Sequence, residues 1–156
     1  MARTGTAAFA ARGGSTSSKN GLRPTAEVGL AADFAVRDAW AEPDRSVDGL
    51  FTGFWISHID RARLDEFFCL AMRWLAPGGL FAFIDSRQDP ASGARDHLPP
   101  KDDLQIRRLD GGATFRVRKV FYEPADLESA LRRAGFTEVD VVATARFFVL
   151  GSARRR

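Results

Sequence analysis

His58 is the side chain in this sequence best suited to moving a proton near neutral pH, because a neutral imidazole is a working base there. Its ordinary alternative is a packing histidine at a helix start. Asp85, Ser86 and Arg87 follow an apolar run, Leu80-Phe-Ala-Phe-Ile, and so stand at the carboxyl end of a strand, where open α/β sheets bind ligands. Arg87 could orient an anion there, and a plain surface arginine is the competing reading. Arg107, Arg108, Arg116, Arg118 and Lys119 form a basic hairpin, for which a solvated face is the usual explanation. Gly13-Gly-Ser-Thr-Ser-Ser-Lys-Asn20 approximates a phosphate-binding loop. It has Ser18 where the second glycine is needed and Asn20 where a metal-binding hydroxyl is needed, and no strand precedes it. His97 falls in a long polar loop. Cys69 is the only cysteine, which excludes an internal disulfide framework and a cysteine-built zinc site.

The elements that must position these residues fit one domain. The chain has 156 residues, 45% of them hydrophobic and 28% charged. These are globular proportions, at a size that needs no disulfide staple. No apolar run is long enough to span a bilayer as a helix, so no membrane role is expected. Of the 23 basic residues only Lys19, Lys101 and Lys119 are lysine, and the net charge is +3. So small a charge does not imply nucleic acid. Residues 1–31 read as a poorly ordered leader: the first 26 contain no Asp or Glu, many Ser, Thr, Gly and Ala, and little apolar bulk. A disordered tail or a misassigned start explains them better than a transit peptide. Nothing directs the chain out of the cytoplasm.

From about Ala32 the pattern becomes structured. Phe34–Asp38 and Val47–Phe54 read as strands, the second apolar enough for a buried parallel position. Asp60 is placed to cap a helix whose stripe is Leu64, Phe67, Phe68, Ala71 and Leu75. Ala76-Pro-Gly-Gly79 should stop that helix before the strand Leu80–Asp85. Asp110-Gly111 between alternating runs predicts a hairpin, and Pro124 opens a second helix that Gly135 closes. Two close-spaced strands follow, Phe136–Val142 and Arg146–Gly151. The structured domain is expected over 32–152, with 153–156 as a solvated basic tail. The alternation predicts a three-layer α/β domain with a parallel sheet and an antiparallel finish.

In this order and spacing the segments resemble the C-terminal part of a class I S-adenosylmethionine-dependent methyltransferase, over about Phe34 to Arg154. Arg37-Asp-Ala-Trp40 is similar to the acidic turn after the third strand of that family. Val47-Asp-Gly-Leu-Phe-Thr-Gly-Phe-Trp-Ile-Ser-His58 is similar to the fourth strand and the segment after it. Leu75-Ala-Pro-Gly-Gly-Leu-Phe-Ala-Phe-Ile-Asp85 resembles a helix end and the fifth strand. Phe121-Tyr-Glu-Pro-Ala-Asp-Leu and Leu131-Arg-Arg-Ala-Gly-Phe136 resemble the last helix and its exit. The resemblance implies an incomplete Rossmann-like sheet, mostly parallel with an antiparallel C-terminal hairpin. It implies S-adenosyl-L-methionine as cofactor and a small molecule as methyl acceptor. Asp38, Ala39 and Trp40 would hold the adenine. Gly53, Phe54 and Trp55 would line the methionine end, with aromatic faces against the sulfonium. His58 would be the catalytic base, and no metal is implied.

The sequence also departs from the family. The glycine-rich turn, and the acidic residue that holds the ribose, are not recognisable, as if the N-terminal half were missing. In the family's strand order, 3-2-1-4-5-7-6, strands 1 and 2 are central, so their loss would leave Val47–Phe54 as an exposed edge. Such an edge invites self-association or a partner chain. The alternative reading is therefore a non-catalytic interaction module that binds a partner through this edge.

Overall fold

The computed structural model describes residues 35–89, 102–108 and 111–156. In chain order the elements are strand β1 (Val47–Gly53), two 3-10 turns (Ile56–His58 and Arg61–Arg63), helix α1 (Leu64–Trp74), and strand β2 (Leu75–Ser86). A hairpin of β3 (Leu104–Arg108) and β4 (Thr114–Arg118) follows, then helix α2 (Pro124–Arg133) and strands β5 (Phe136–Ala143) and β6 (Phe148–Arg155). The residue 1–31 leader, the near-phosphate loop at 13–20 and His97 lie outside the described residues.

Four strands form one sheet in the order β1-β2-β6-β5. β1 pairs parallel with β2, β6 runs antiparallel to β2, and β5 runs antiparallel to β6. Three of the four strands therefore point the same way, and β6 alone is reversed. This is the expected mostly parallel sheet with an antiparallel C-terminal hairpin, although only one hydrogen-bonded pair is parallel. The order also matches the 4-5-7-6 half of the expected sheet, with β1 at its edge.

Period-two alternation sets the two faces. Phe81, Phe83 and Asp85 of β2 turn inward with Val149 and Ala153 of β6, and all are buried. Against this face lie Phe67, Phe68 and Ala71 of α1 and Leu127, Ala130 and Leu131 of α2. Each large buried side chain contributes about 1.5–3 kcal/mol. Asp65 and Glu66 begin α1 and Arg73 ends it, signs that suit the helix dipole. An exposed Asp65–Arg133 pair at 2.8 Å joins the two helices.

Several expectations are corrected. The described part of the first candidate strand, residues 35–38, is not a strand, because no described neighbour offers it a hydrogen-bond ladder. Among the described residues the domain has two layers rather than three, since both helices pack on the same face. Ala76–Gly79 does not separate helix from strand. The chain leaves α1 directly into β2 at Leu75, and these residues bulge within the strand, between the pairs Val47–Leu75 and Gly49–Leu80. β6 runs past the expected boundary at residue 152 to Arg155. Ala153 is fully buried, and the Arg155 guanidinium donates to the Met72 and Leu75 carbonyls at the end of α1, so these residues are not a solvated tail.

Gly151 sits where β6 passes the Phe83 ring, and a Cβ there would fall 2.2 Å from ring carbons. Phe83 is itself buried and cannot swing away. Gly151→Ala should cost about 1–3 kcal/mol of stability by overpacking, measured as a fall in the urea midpoint.

Candidate functional site

The chain ahead of β1 folds into a tight turn. Asp38 Oδ1 accepts from the Trp40 N–H at 2.9 Å, and the Asp38 carbonyl accepts from the Ala41 N–H at 3.0 Å. The carboxylate is thus held at the surface by its own backbone, a habit of Asp in turns. Ala39 is the middle residue of this turn. The Arg63 guanidinium lies 3.6 Å over the Trp40 ring, and that ring meets Phe67 edge-on at 5.9 Å.

The exit of β1 forms the second wall. Gly53 is exposed at the last strand position, and Phe54 follows with a left-handed backbone, φ 53°. That conformation is unusual for a bulky residue and turns the chain out of the sheet. The Phe54 N–H still donates to the Ile84 carbonyl at 2.8 Å, and its half-exposed ring contacts Phe148 at 5.9 Å. Trp55 packs on Phe67 at 6.5 Å, so Phe67 stands between Trp40 and Trp55 and joins the two segments. The Trp55 indole Nε1 is buried without a hydrogen-bond partner among the described residues. Buried indole N–H groups normally find one.

His58 closes the first 3-10 turn. Its Nδ1 lies 2.7 Å from the Arg118 carbonyl, which can only accept, so Nδ1 carries the proton. In the neutral ring this leaves the lone pair on Nε2.

A buried node lies next to these residues, and the sequence pattern does not announce it. The Asp85 carboxylate, 2% exposed, accepts from the Ser57 N–H at 2.9 Å and the Ser86 N–H at 2.6 Å. Lys119 Nζ donates to Ser57 Oγ at 2.8 Å and Ser86 Oγ at 2.9 Å, and lies 3.8 Å from Asp85 Oδ1. Burial pushes the Lys119 ammonium below its ordinary range, and the Asp85 charge partly offsets this. Asp85 and Ser86 stand out in the sequence as strand-end residues, whereas Lys119 reads only as part of a basic hairpin. Its partners are 62 and 33 residues away, with no local signal. Beside the node, Lys119, Arg61, Gln88, Asp102, Asp103 and Phe121 line an open depression of about 260 Å³. Arg87 is not part of this lining: its guanidinium donates to the Thr144 carbonyl at 3.1 Å. On the basic hairpin, Arg118 pairs with Asp60 at 3.0 Å.

This arrangement of sheet, turns and strand ends is that of a known class. No protein-family model matches the chain, and no curated protein matches it. Solved structures do. A DhpI–SAH complex is 27% identical at a TM-score of 0.66, over 81% of this chain and 57% of that one. A DhpI–SAM–HEP complex is 26% identical at 0.64, over 77% and 56%. An S-adenosylmethionine-dependent methyltransferase from Clostridium acetobutylicum shares 17% identity at 0.61, over 81% and 65%. The chain has the fold of the class I S-adenosylmethionine-dependent methyltransferases, in part. It spans 57% of the DhpI chain in the SAH complex.

Two measurements test the site's electrostatics. Lys119→Met should destabilise the fold by about 3–5 kcal/mol, because it strands the buried Asp85 carboxylate. Lys119→Met combined with Asp85→Asn should recover part of that loss in denaturant melts. Tyr122, the only tyrosine, is buried, donates to the Ile59 carbonyl at 3.1 Å, and its pKa is pushed up to about 12 by burial. Its absorbance should titrate there in the folded chain and near 10 in denaturant. Since the folded value is the higher one, this group's contribution to stability is full below pH ~10 and is lost as pH rises towards 12.

Proposed function

We propose that the chain is the methyl-transferring half of an S-adenosylmethionine-dependent methyltransferase acting on a small molecule in the cytoplasm. The observation that carries this reading is the meeting of the Asp38–Trp40 turn and the Phe54–Trp55 segment on Phe67. The residues fit the two ends of the cofactor. The Asp38 carboxylate is an acceptor for an adenine amino group, and Ala39 offers backbone beside it. Trp40, already stacked under Arg63, gives the ring an apolar neighbour. At the other end, Gly53 allows close approach, and Phe54 presents an exposed aromatic face suited to a sulfonium. The buried, unsatisfied Trp55 Nε1 donor also suits a site that takes a polar ligand. The glycine-rich clasp for the ribose is not found among the described residues.

S-adenosyl-L-methionine supplies an electrophilic methyl group, so the protein's work is positioning and electrostatics. The acceptor fits the depression beside Lys119, where Lys119, Gln88 and Arg61 offer polar contacts and Phe121 an apolar one. His58, its Nδ1 fixed on the Arg118 carbonyl, takes the acceptor's proton on Nε2. The Asp85 node holds this geometry by tying the turn after β1 to the end of β2.

Calorimetry with S-adenosylmethionine and its demethylated product tests the reading, and heat of binding is expected for both. Asp38→Ala should weaken binding about tenfold through one lost charge-assisted hydrogen bond. His58→Ala should leave affinity unchanged, because its role lies in the transfer step. No binding by the unaltered chain would remove the enzyme reading and leave that of an interaction module.

A further inference from the structure

Lys119 stands out by its type. Of the 23 basic residues only Lys19, Lys101 and Lys119 are lysine, and the cation in the buried Asp85 node is one of these three. An arginine could also balance that carboxylate, but a guanidinium keeps its proton, whereas a buried amine can lose one. The geometry also leaves this amine incompletely engaged. An ammonium has three donors. Two go to Ser57 Oγ and Ser86 Oγ, and Asp85 Oδ1, at 3.8 Å, holds the group by charge rather than by a hydrogen bond. The side chain is 9% exposed and lines the open depression of about 260 Å³, where the Phe121 ring centroid lies 5.7 Å from Nζ. The charged groups around Nζ and the depression are Asp85, Arg107, Arg61, Asp102 and Asp103. Burial favours the neutral amine most, the Asp85 charge opposes this, and Arg107 adds to the effect of burial.

We propose that Lys119 is a covalent capture site for a small aromatic aldehyde, held as an imine on Nζ with its ring against Phe121. The ammonium gives one proton to water in the open depression, and the nitrogen lone pair attacks the aldehyde carbon. A carbon–nitrogen bond forms. The carbonyl oxygen then leaves as water, carrying the returned proton and a second one from nitrogen. Ammonium and aldehyde thus become a protonated imine and water, with no oxidant or reductant. The positive charge stays on nitrogen, so Asp85 keeps its counter-ion throughout. The inference goes beyond the methyl-transfer reading and does not rest on it, because capture needs no S-adenosylmethionine.

The test incubates the full chain at pH 7 with benzaldehyde and cyanoborohydride, which reduces the imine to a stable benzylamine, and maps the altered lysines by peptide mass. Lys119 should be trapped about tenfold faster than Lys19 or Lys101 in buffer, and all three should react alike in urea. Its rate should level off at a lower pH than theirs. Asp85→Asn should move that levelling lower still, because it removes the charge that holds the proton. Phe121→Ala should slow trapping of benzaldehyde about threefold and leave that of propanal unchanged. A Lys119 that reacts no faster than the other two lysines, or reacts only in urea, overturns the proposal and leaves a closed ion pair. Equal slowing of both aldehydes by Phe121→Ala overturns the aromatic class.

Discussion

The candidate site depends on a single buried carboxylate. Asp85 ends the inward row of β2, and its oxygens hold the Ser57 and Ser86 backbone amides while Lys119 balances the charge. Burying one such charge is costly, and burying it with an ammonium and two hydroxyls to share the field is tolerable. The result fixes three segments relative to each other: the turn leaving β1, the end of β2, and the chain leaving β4. A hydrophobic contact could not do this, because it has no direction. Burial by Phe81, Phe83 and the two helices supplies stability, and the Asp85 node supplies position.

What could be read in the sequence was what local pattern encodes. The stripe Leu64, Phe67, Phe68 and Ala71 announces a helix by spacing, Pro124 and Gly135 punctuate another, and Leu80–Asp85 is apolar enough to be a central strand. Asp60 has the placing of a helix cap, and it does accept from the Ala62 N–H, at the 3-10 turn that leads into α1. Long-range pairing left no such trace. Lys119 resembles its basic neighbours until Ser57 and Ser86 are brought to it. Arg155 resembles a tail residue until the Met72 carbonyl stands opposite. Residues 35–38 have strand composition, but composition does not create a neighbour to bond with.

The aromatic residues show how the same chemistry serves two ends. Phe67 is part of the core through Phe68 and Phe81, and part of the site through Trp40 and Trp55. The Asp38–Trp40 turn and the segment leaving β1 are thus braced on the best-packed part of the molecule. Phe54 and Phe148 make a second aromatic pair, at the exit of β1 and the start of β6, with both rings partly exposed. Among the described residues, one sheet therefore separates a face packed by two helices from a face that carries exposed apolar side chains.

The strand order also bears on biosynthesis. β6 follows β5 in the chain yet lies between β5 and β2. While the polypeptide is emerging from the ribosome, β2 and β5 are both present with a gap between them. The gap closes only when the later segment arrives and threads into the centre. Until then two strand edges are open at once, and open edges are free to pair with another nascent chain.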